Sequence, residues 1–115
     1  MNCKQGEIYF VNLEPALGTE TKKKRPCLVV SNNHYNRLMN TVIVIPISSS
    51  EKYLEEKKYV KSPLYFQVNN KKIHGTAMLQ HVRTVDMEVR SETKLVAKLD
   101  DRDMRKITNN IKQFF

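Results

Sequence analysis

The sequence predicts a mainly β fold with one C-terminal helix. Three observations carry that prediction. Short runs of apolar, β-branched and aromatic residues recur along the chain, most plainly Ile8-Tyr9-Phe10-Val11-Asn12-Leu13, Leu28-Val29-Val30 and Thr41-Val42-Ile43-Val44-Ile45-Pro46-Ile47. Irregular segments bearing Pro, Gly, Asn and Ser separate these runs. Only near the end does the apolar spacing become helical, at Met104, Ile107, Ile111 and Phe114. Five to seven short strands and a terminal helix point to a small, strongly bent antiparallel sheet or barrel.

In chain order, Gly6-Glu7 leads into the first strand, which the Pro and Gly of residues 14–21 break. The loop continues through Lys22-Lys23-Lys24, about a dozen residues in all, a length that in compact domains signals a functional or disordered connection. The second strand is expected from about Arg25 to Ser31. Asn32 to Arg37 reads as a turn or a single helical turn. The run from Thr41 to Ile47 is apolar on successive residues, as in a strand buried on both faces, and Ser48-Ser49-Ser50 ends it. Pro46 cannot donate to a ladder, so it must lie where no N–H is needed, at an edge or bulge. Residues 51–61 are charged, with Leu54 and Tyr59 as the only strong apolar anchors, and read as a flexible loop with helical character.

Further on, Leu64 to Val68 reads as a strand, and residues 75–84 as one bent strand or two short ones, which by alternation would put His81 on one face with Leu79 and Arg83. Asp86 is a local cap for the turn that follows, and Leu95 to Leu99 is a last short strand. Asp100 is a candidate N-cap with Asp103 three residues on, and Leu99 can staple to Met104 across it. The apolar stripe of this final helix is expected to be core or dimer contact.

At 115 residues the chain is expected to be a single domain over residues 1–115, with one hydrophobic core. Lys and Arg total 20 against 12 Asp and Glu, a net charge of +8, and the mean hydropathy is −0.55. That balance favours a polyanionic partner, nucleic acid before an anionic membrane surface. No apolar run approaches the roughly 18 residues of a membrane span, and the N-terminus has no signal-peptide core, so a cytoplasmic protein is expected. Cys3 and Cys27 are two and far apart, which suits reduced thiols. No Cys/His spacing suggests zinc and no glycine-rich phosphate loop is present, so neither metal nor cofactor is expected.

The sharpest local feature is Lys22-Lys23-Lys24-Arg25-Pro26-Cys27-Leu28-Val29-Val30. Pro26 fixes its own φ and biases Arg25 toward extended backbone. Arg25 should therefore stand at the mouth of a buried strand, behind a mobile basic loop, where a guanidinium fork can grip a phosphate. Ser48 ends the next strand. His81 is a side chain that titrates near neutrality. The lysines suit backbone phosphates, and the amides of Asn32 and Gln80 suit base edges.

These pieces fall in a specific order: Gly6-Glu7-Ile8-Tyr9, Gly18-Thr19-Glu20, Lys24 through Asn32, Asn36-Arg37, Thr41 through Ser48, and Gln80-His81-Val82-Arg83-Thr84-Val85-Asp86. Together they closely resemble the MazF/PemK family of bacterial type II toxin–antitoxin toxins, over roughly residues 5–100. The resemblance implies an SH3-like small β-barrel of the MazF/PemK/CcdB type that forms a homodimer. It implies a growth-inhibiting mRNA interferase, an endoribonuclease that cuts single-stranded RNA at specific sequences without metal. The products would end in a 2′,3′-cyclic phosphate and a 5′-OH, and a cognate antitoxin would neutralise the toxin.

By the same resemblance Arg25 and Ser48 are the catalytic residues, with serine where the family usually has threonine. His81 is a further acid/base candidate, since the amide of Gln80, where some relatives carry a carboxylate, cannot act as a general base. The resemblance also implies that the loop from Leu17 to Lys24 contacts RNA and is where antitoxin binds; with the side chains suited to phosphates and base edges, the RNA-binding candidates are Leu17, Thr19, Lys22, Lys23, Lys24, Asn32, Gln80 and His81. Toxins that poison DNA gyrase share the barrel without being nucleases, so a non-nuclease, protein-binding toxin is the alternative, and a non-catalytic nucleic-acid-binding barrel a third reading.

Overall fold

A computed structural model describes residues 1–115. Strands β1 (Glu7–Asn12) and β2 (Lys24–Val29) precede helix α1 (Asn33–Leu38) and strand β3 (Val42–Ser48). Two single-turn helices follow, α2 (Lys52–Glu55) and α3 (Lys57–Val60), then strands β4 (Tyr65–Asn69) and β5 (His74–Met78). A 3₁₀ turn at Leu79–His81 leads to β6 (Arg83–Val85), α4 (Met87–Arg90), β7 (Ala97–Lys98) and α5 (Asp101–Lys112).

The strands form one antiparallel sheet in the order β4-β5-β3-β2-β1-β7, with β6 pairing β3 off that path. β3 is the hub. Its Cys27, Leu28 and Val29 partners lie along one edge. Along the other edge Val42 to Val44 pair with β6, and Ile47 and Ser48 pair with β5. Ile45 and Pro46 fall in the gap between those two partners. The carbonyl of Ile43 accepts from Val30 N–H, so odd-numbered residues point their backbone groups toward β2 and Pro46 points into the gap. The missing N–H of Pro46 therefore leaves no ladder bond broken. Proline sits inside a central strand because this edge changes partners there.

Alternation along the central strands builds two cores. One face gathers Ile8, Leu28, Val30, Ile45 and Ile47 with Leu79, Met104 and Ile107. The other gathers Cys3, Tyr9, Val11, Cys27, Val29, Val42, Val44, Val85 and Met87. α5 lies on the first face. Its Met104 and Ile107 are buried, and Ile111 and Phe114 pack at the border, so the helical stripe is core. Asp100 Oδ1 accepts from Asp103 N–H at 2.8 Å, the expected N-cap. Ile107 is fully buried, and its truncation to Ala would cost about 2–5 kcal/mol.

Gly6 has φ +93°, a left-handed value that glycine tolerates, and its backbone pairs with both Val29 and Leu99. Gly75 serves by its size: a Cβ there would lie 2.7 Å from Ile47 Cγ2 and from Ser48 O. β5 can thus press against the end of β3 that carries Ser48.

Several expectations change in detail. The stretch over residues 75–84 is two short strands joined by a 3₁₀ turn, so His81 does not follow strand alternation and leaves Leu79 alone in the core. The last strand keeps only two residues, because β1 offers it only Glu7 and Ile8 as partners. β2 starts at Lys24 and ends at Val29 rather than Ser31. Ser31 turns its hydroxyl to buried Asn36 at 2.5 Å. No helix is long and apolar enough to cross a membrane.

Candidate active site

Arg25 reaches the site from the start of β2, where it is registered against Val11 of β1. It is partly buried, and its Nε donates to the carbonyl of Lys22 at 2.8 Å. That bond anchors the inner edge of the guanidinium. No carboxylate pairs with it, since the ion pairs are those of the N-terminal amine with Glu88 and of Lys24 with Glu92. The two terminal nitrogens remain for an anionic ligand.

Ser48 arrives from β3, at the strand's last residue. It is 6% exposed, and its Oγ accepts from Ser50 N–H at 3.2 Å. The hydroxyl thus caps the turn after β3 while lining the cleft. Thr76 pairs with Ser48 across β3 and β5, and its hydroxyl is the one buried side-chain polar atom with no partner.

Both residues open on a cleft of about 310 Å³, lined also by Thr19, Lys22, Lys23, Tyr53 and His81. His81 lies in the 3₁₀ turn, where its Nδ1 is 2.9 Å from Thr21 Oγ1. That contact fixes the ring and leaves Nε2 without a protein partner. Burial disfavours the imidazolium and lowers the His81 pKa from 6.5, so the ring is neutral at pH 7. A second cleft of about 520 Å³ shares Thr19, Glu20, Thr21 and His81 with the first and adds Gln80 and Arg83.

The loop expected to be mobile is tied down at several points. Glu14 Oε1 accepts from Lys23 N–H at 2.9 Å, and Glu20 Oε1 from Leu17 N–H at 2.6 Å. Arg83 Nη1 donates to Leu13 O at 3.3 Å, and Arg90 Nη1 to Asn12 O and Glu14 O at 3.1 and 2.6 Å. The late arginine-bearing segment therefore supports the loop from below. Lys23 itself sits at φ +71°, a left-handed conformation unusual for a side-chain-bearing residue.

Arg25, Ser48, His81, Thr19, Lys22 and Lys23 thus converge on one cleft, and Gln80 borders the adjoining one. Leu17 is 76% exposed at the loop's outer turn. Two residues have other partners. Lys24 Nζ is 2.8 Å from Glu92 Oε1. Asn32 lies in a separate cleft with Gln5 and Thr108, and its Oδ1 caps α1 by accepting from Tyr35 N–H at 2.8 Å. Its amide therefore has a structural task, as does that of Asn36, which donates to Cys3 O and Ser31 O.

The residue that motif reading missed is Tyr53, which shares the cleft with Arg25 and Ser48. Its signal was faint: tyrosines interleaved with lysines, as Lys52-Tyr53 and Lys57-Lys58-Tyr59. No group of three or more His, Cys, Asp or Glu side chains is arranged to hold a metal ion.

Comparison with known proteins gives the fold and the family. The chain is 30% identical to the endoribonuclease EndoA of Bacillus subtilis (strain 168), over 93% of this chain and 89% of that one. Its fold matches MazF from Deinococcus radiodurans with a TM-score of 0.80, at 20% identity, covering 99% and 96% of the two chains. A mycobacterial endoribonuclease in complex with its cognate antitoxin has the same fold, with a TM-score of 0.72 at 16% identity, covering 96% and 92%. Residues 4–115 match the family model described as PemK-like, MazF-like toxin of type II toxin–antitoxin system, and the chain belongs to that family.

Proposed function

We propose that this protein is a toxin that acts as a sequence-specific, metal-independent endoribonuclease on single-stranded RNA, and that a cognate antitoxin neutralises it. The 115 residues act as one toxin domain and pair as a homodimer. The observation that carries the reading is the convergence of an unpaired guanidinium, a hydroxyl and a neutral imidazole on one cationic cleft. Family membership and the similarity to EndoA support the same reaction class.

The roles follow from the groups. RNA cleavage by internal attack requires the 2′-OH to lose its proton, the phosphorane charge to be stabilised, and the departing 5′-oxygen to gain a proton. His81, neutral at pH 7, accepts the 2′-OH proton. The 2′-oxygen bonds to phosphorus and the P–O5′ bond breaks. Arg25 faces the non-bridging oxygens with its free nitrogens and stays charged throughout. The Ser48 hydroxyl passes a proton to the 5′-oxygen and regains one, through water, from the His81 imidazolium, which returns both groups to their starting states. Because the nucleophile is already tethered to the substrate, the protein has only to orient it and stabilise charge. Lys22 and Lys23 hold flanking phosphates without reading sequence.

The test is an RNA carrying a single 2′-deoxy sugar at the scissile nucleotide. It should bind like the all-ribose strand and remain uncut. EDTA should leave the rate on normal RNA unchanged, and the products should carry a 2′,3′-cyclic phosphate and a 5′-OH. Cleavage of the deoxy strand, or a chelator effect that magnesium reverses, would point to water as the nucleophile.

A further inference from the structure

One wall of the cleft has no role in the reaction just described. Tyr53, Tyr59 and Tyr65 come from α2, α3 and β4, and none belongs to either core cluster. Tyr53 and Tyr65 stack with ring centroids 5.1 Å apart and planes 20° apart. Tyr59 meets both edge-on, at 4.8 and 4.9 Å. All three side chains stay partly exposed, so this is an aromatic cluster on the surface. Lys52 Nζ lies over the Tyr53 ring at 4.9 Å, and Lys58 Nζ over Tyr59 at 5.0 Å. Tyr65 Oη accepts from Gln80 Nε2 at 2.8 Å, which joins the cluster to the second cleft. Tyr53 itself lines the cleft of Arg25 and Ser48.

We infer that this tyrosine trio is a stacking platform for an unpaired RNA base next to the scissile phosphate, with Tyr53 as the contact ring. The inference rests on the ribonuclease reading and adds to it the position of a flanking nucleotide. A single-stranded base has two exposed π-faces, and aromatic side chains accept them whatever the base. A strand gripped at its phosphate by Arg25 must place a neighbouring base near the cleft wall, where Tyr53 stands. Lys52 and Lys58 are exposed and held only by their rings, so each can leave its ring for a phosphate as the base arrives. The pairing of π-faces with cations beside a phosphate-gripping arginine favours a nucleotide over an antitoxin peptide. Gln80 holds Tyr65 in place from the neighbouring cleft and so acts as a positioning residue here.

The experiment begins by sequencing the 5′ ends of cleaved transcripts to define the cut site. An oligonucleotide of that sequence, with a 2′-deoxy sugar at the scissile nucleotide, then serves as the uncut probe. Removing one flanking base to leave an abasic site should weaken binding by about 5- to 100-fold at a single position. Tyr53→Leu should weaken the intact probe by a similar factor, and combining it with the abasic site should add little. Tyr53→Phe keeps the π-face and should bind within about twofold of the parent protein. On cleavable RNA the loss should fall on KM more than on kcat.

Full additivity of Tyr53→Leu with every abasic position overturns the inference. So does a variant that binds RNA normally but loses affinity for the antitoxin, which would make the trio a peptide site. If Tyr53→Leu fails to fold, 2-aminopurine placed at each flanking position on the unaltered protein decides the matter: quenching at one position supports the platform, and quenching at none overturns it. Cleavage that depends on Arg25 but shows no coupling to Tyr53 removes this inference alone. A protein that cleaves no RNA removes the ribonuclease reading with it.

Discussion

Two walls of the cleft are held by different forces. Residues 13–23 are fixed by directional hydrogen bonds: Glu14 to Lys23 N–H, Glu20 to Leu17 N–H, and Arg83 and Arg90 to backbone carbonyls at the loop's base. Residues 51–62 carry no such side-chain network to the sheet. They are held by the Tyr53–Tyr59–Tyr65 packing and by backbone bonds within their own turns. A hydrogen-bonded wall has one good geometry and presents its lysines at defined places. A stacked wall tolerates sliding and accepts another flat ring in kind. The first suits a phosphate, whose position must be definite for catalysis, and the second suits a base.

The strongest test of the contrast is Arg25, which stands on the strand leading out of the hydrogen-bonded wall. Arg25→Ala should lower cleavage by about 10²–10³-fold, the scale of losing one preorganised donor to a developing charge. Arg25→Lys should recover only part, because the bidentate fork is gone. The thermal midpoint should fall by only a few degrees, since about one hydrogen bond, that to Lys22 O, disappears. A folded Arg25→Ala protein with near-normal activity would remove the arginine from the chemistry.

A smaller effect is expected from the lysines. Replacing Lys22, Lys23 and Lys24 together with Ala should weaken RNA binding and flatten its salt dependence, by roughly 0.7 in slope for each phosphate of a single strand that is no longer neutralised. Single replacements should divide the three. Lys22 and Lys23 line the cleft, whereas Lys24 pairs with Glu92, so Lys24→Ala should change the slope least. The cleaved sequence should stay the same. An altered sequence preference with an unaltered salt slope would mean that this wall reads bases and the division of labour is reversed.

What could be read in advance was what depends on near neighbours in the chain. Pro26 next to Arg25, a serine closing an apolar run, and Asp100 three residues before Asp103 each state their geometry locally. The positions whose surroundings could not be read in advance depend on distant partners. Asn32 reads as a base-contacting amide until α1 forms and its Oδ1 is taken by Tyr35 N–H. Lys24 reads as one more free cation, yet its partner Glu92 is brought in beside β1, where Glu92 N–H donates to Phe10 O. His81 reads as a strand residue, but the edge of β3 passes from β5 to β6 at that point and the connecting chain tightens into a 3₁₀ turn. The tyrosine trio spans residues 53 to 65 with no periodicity, because its rings meet only after α2, α3 and β4 are in place.

The last test is read from pH dependence, at His81, where the hydrogen-bonded wall meets the chemistry. Thr21 belongs to that wall and holds Nδ1 at 2.9 Å, while burial lowers the ring's pKa from 6.5. A base that is already neutral gains nothing from further alkali, so cleavage should be nearly flat above pH 7. It should fall on acidification with a midpoint below 6.5, by up to about tenfold per pH unit. Stability should follow the same sign. Below pH 6.5 the unfolded chain protonates this histidine before the folded one does, so the unfolded state binds more protons and stability drops as pH falls toward the lowered folded-state pKa. Above 6.5 both states are neutral there and the contribution is complete. His81→Gln should therefore lower cleavage at pH 7 by about 10²–10⁴-fold, leave what remains without the acid limb, and lose less stability than the parent between pH 7 and pH 5. Both differences can be read from paired pH–rate and pH–melting series. If the two proteins gave superimposable acid limbs, the proton acceptor would lie elsewhere, and Glu20, the one carboxylate lining the cleft, would be the next residue to replace.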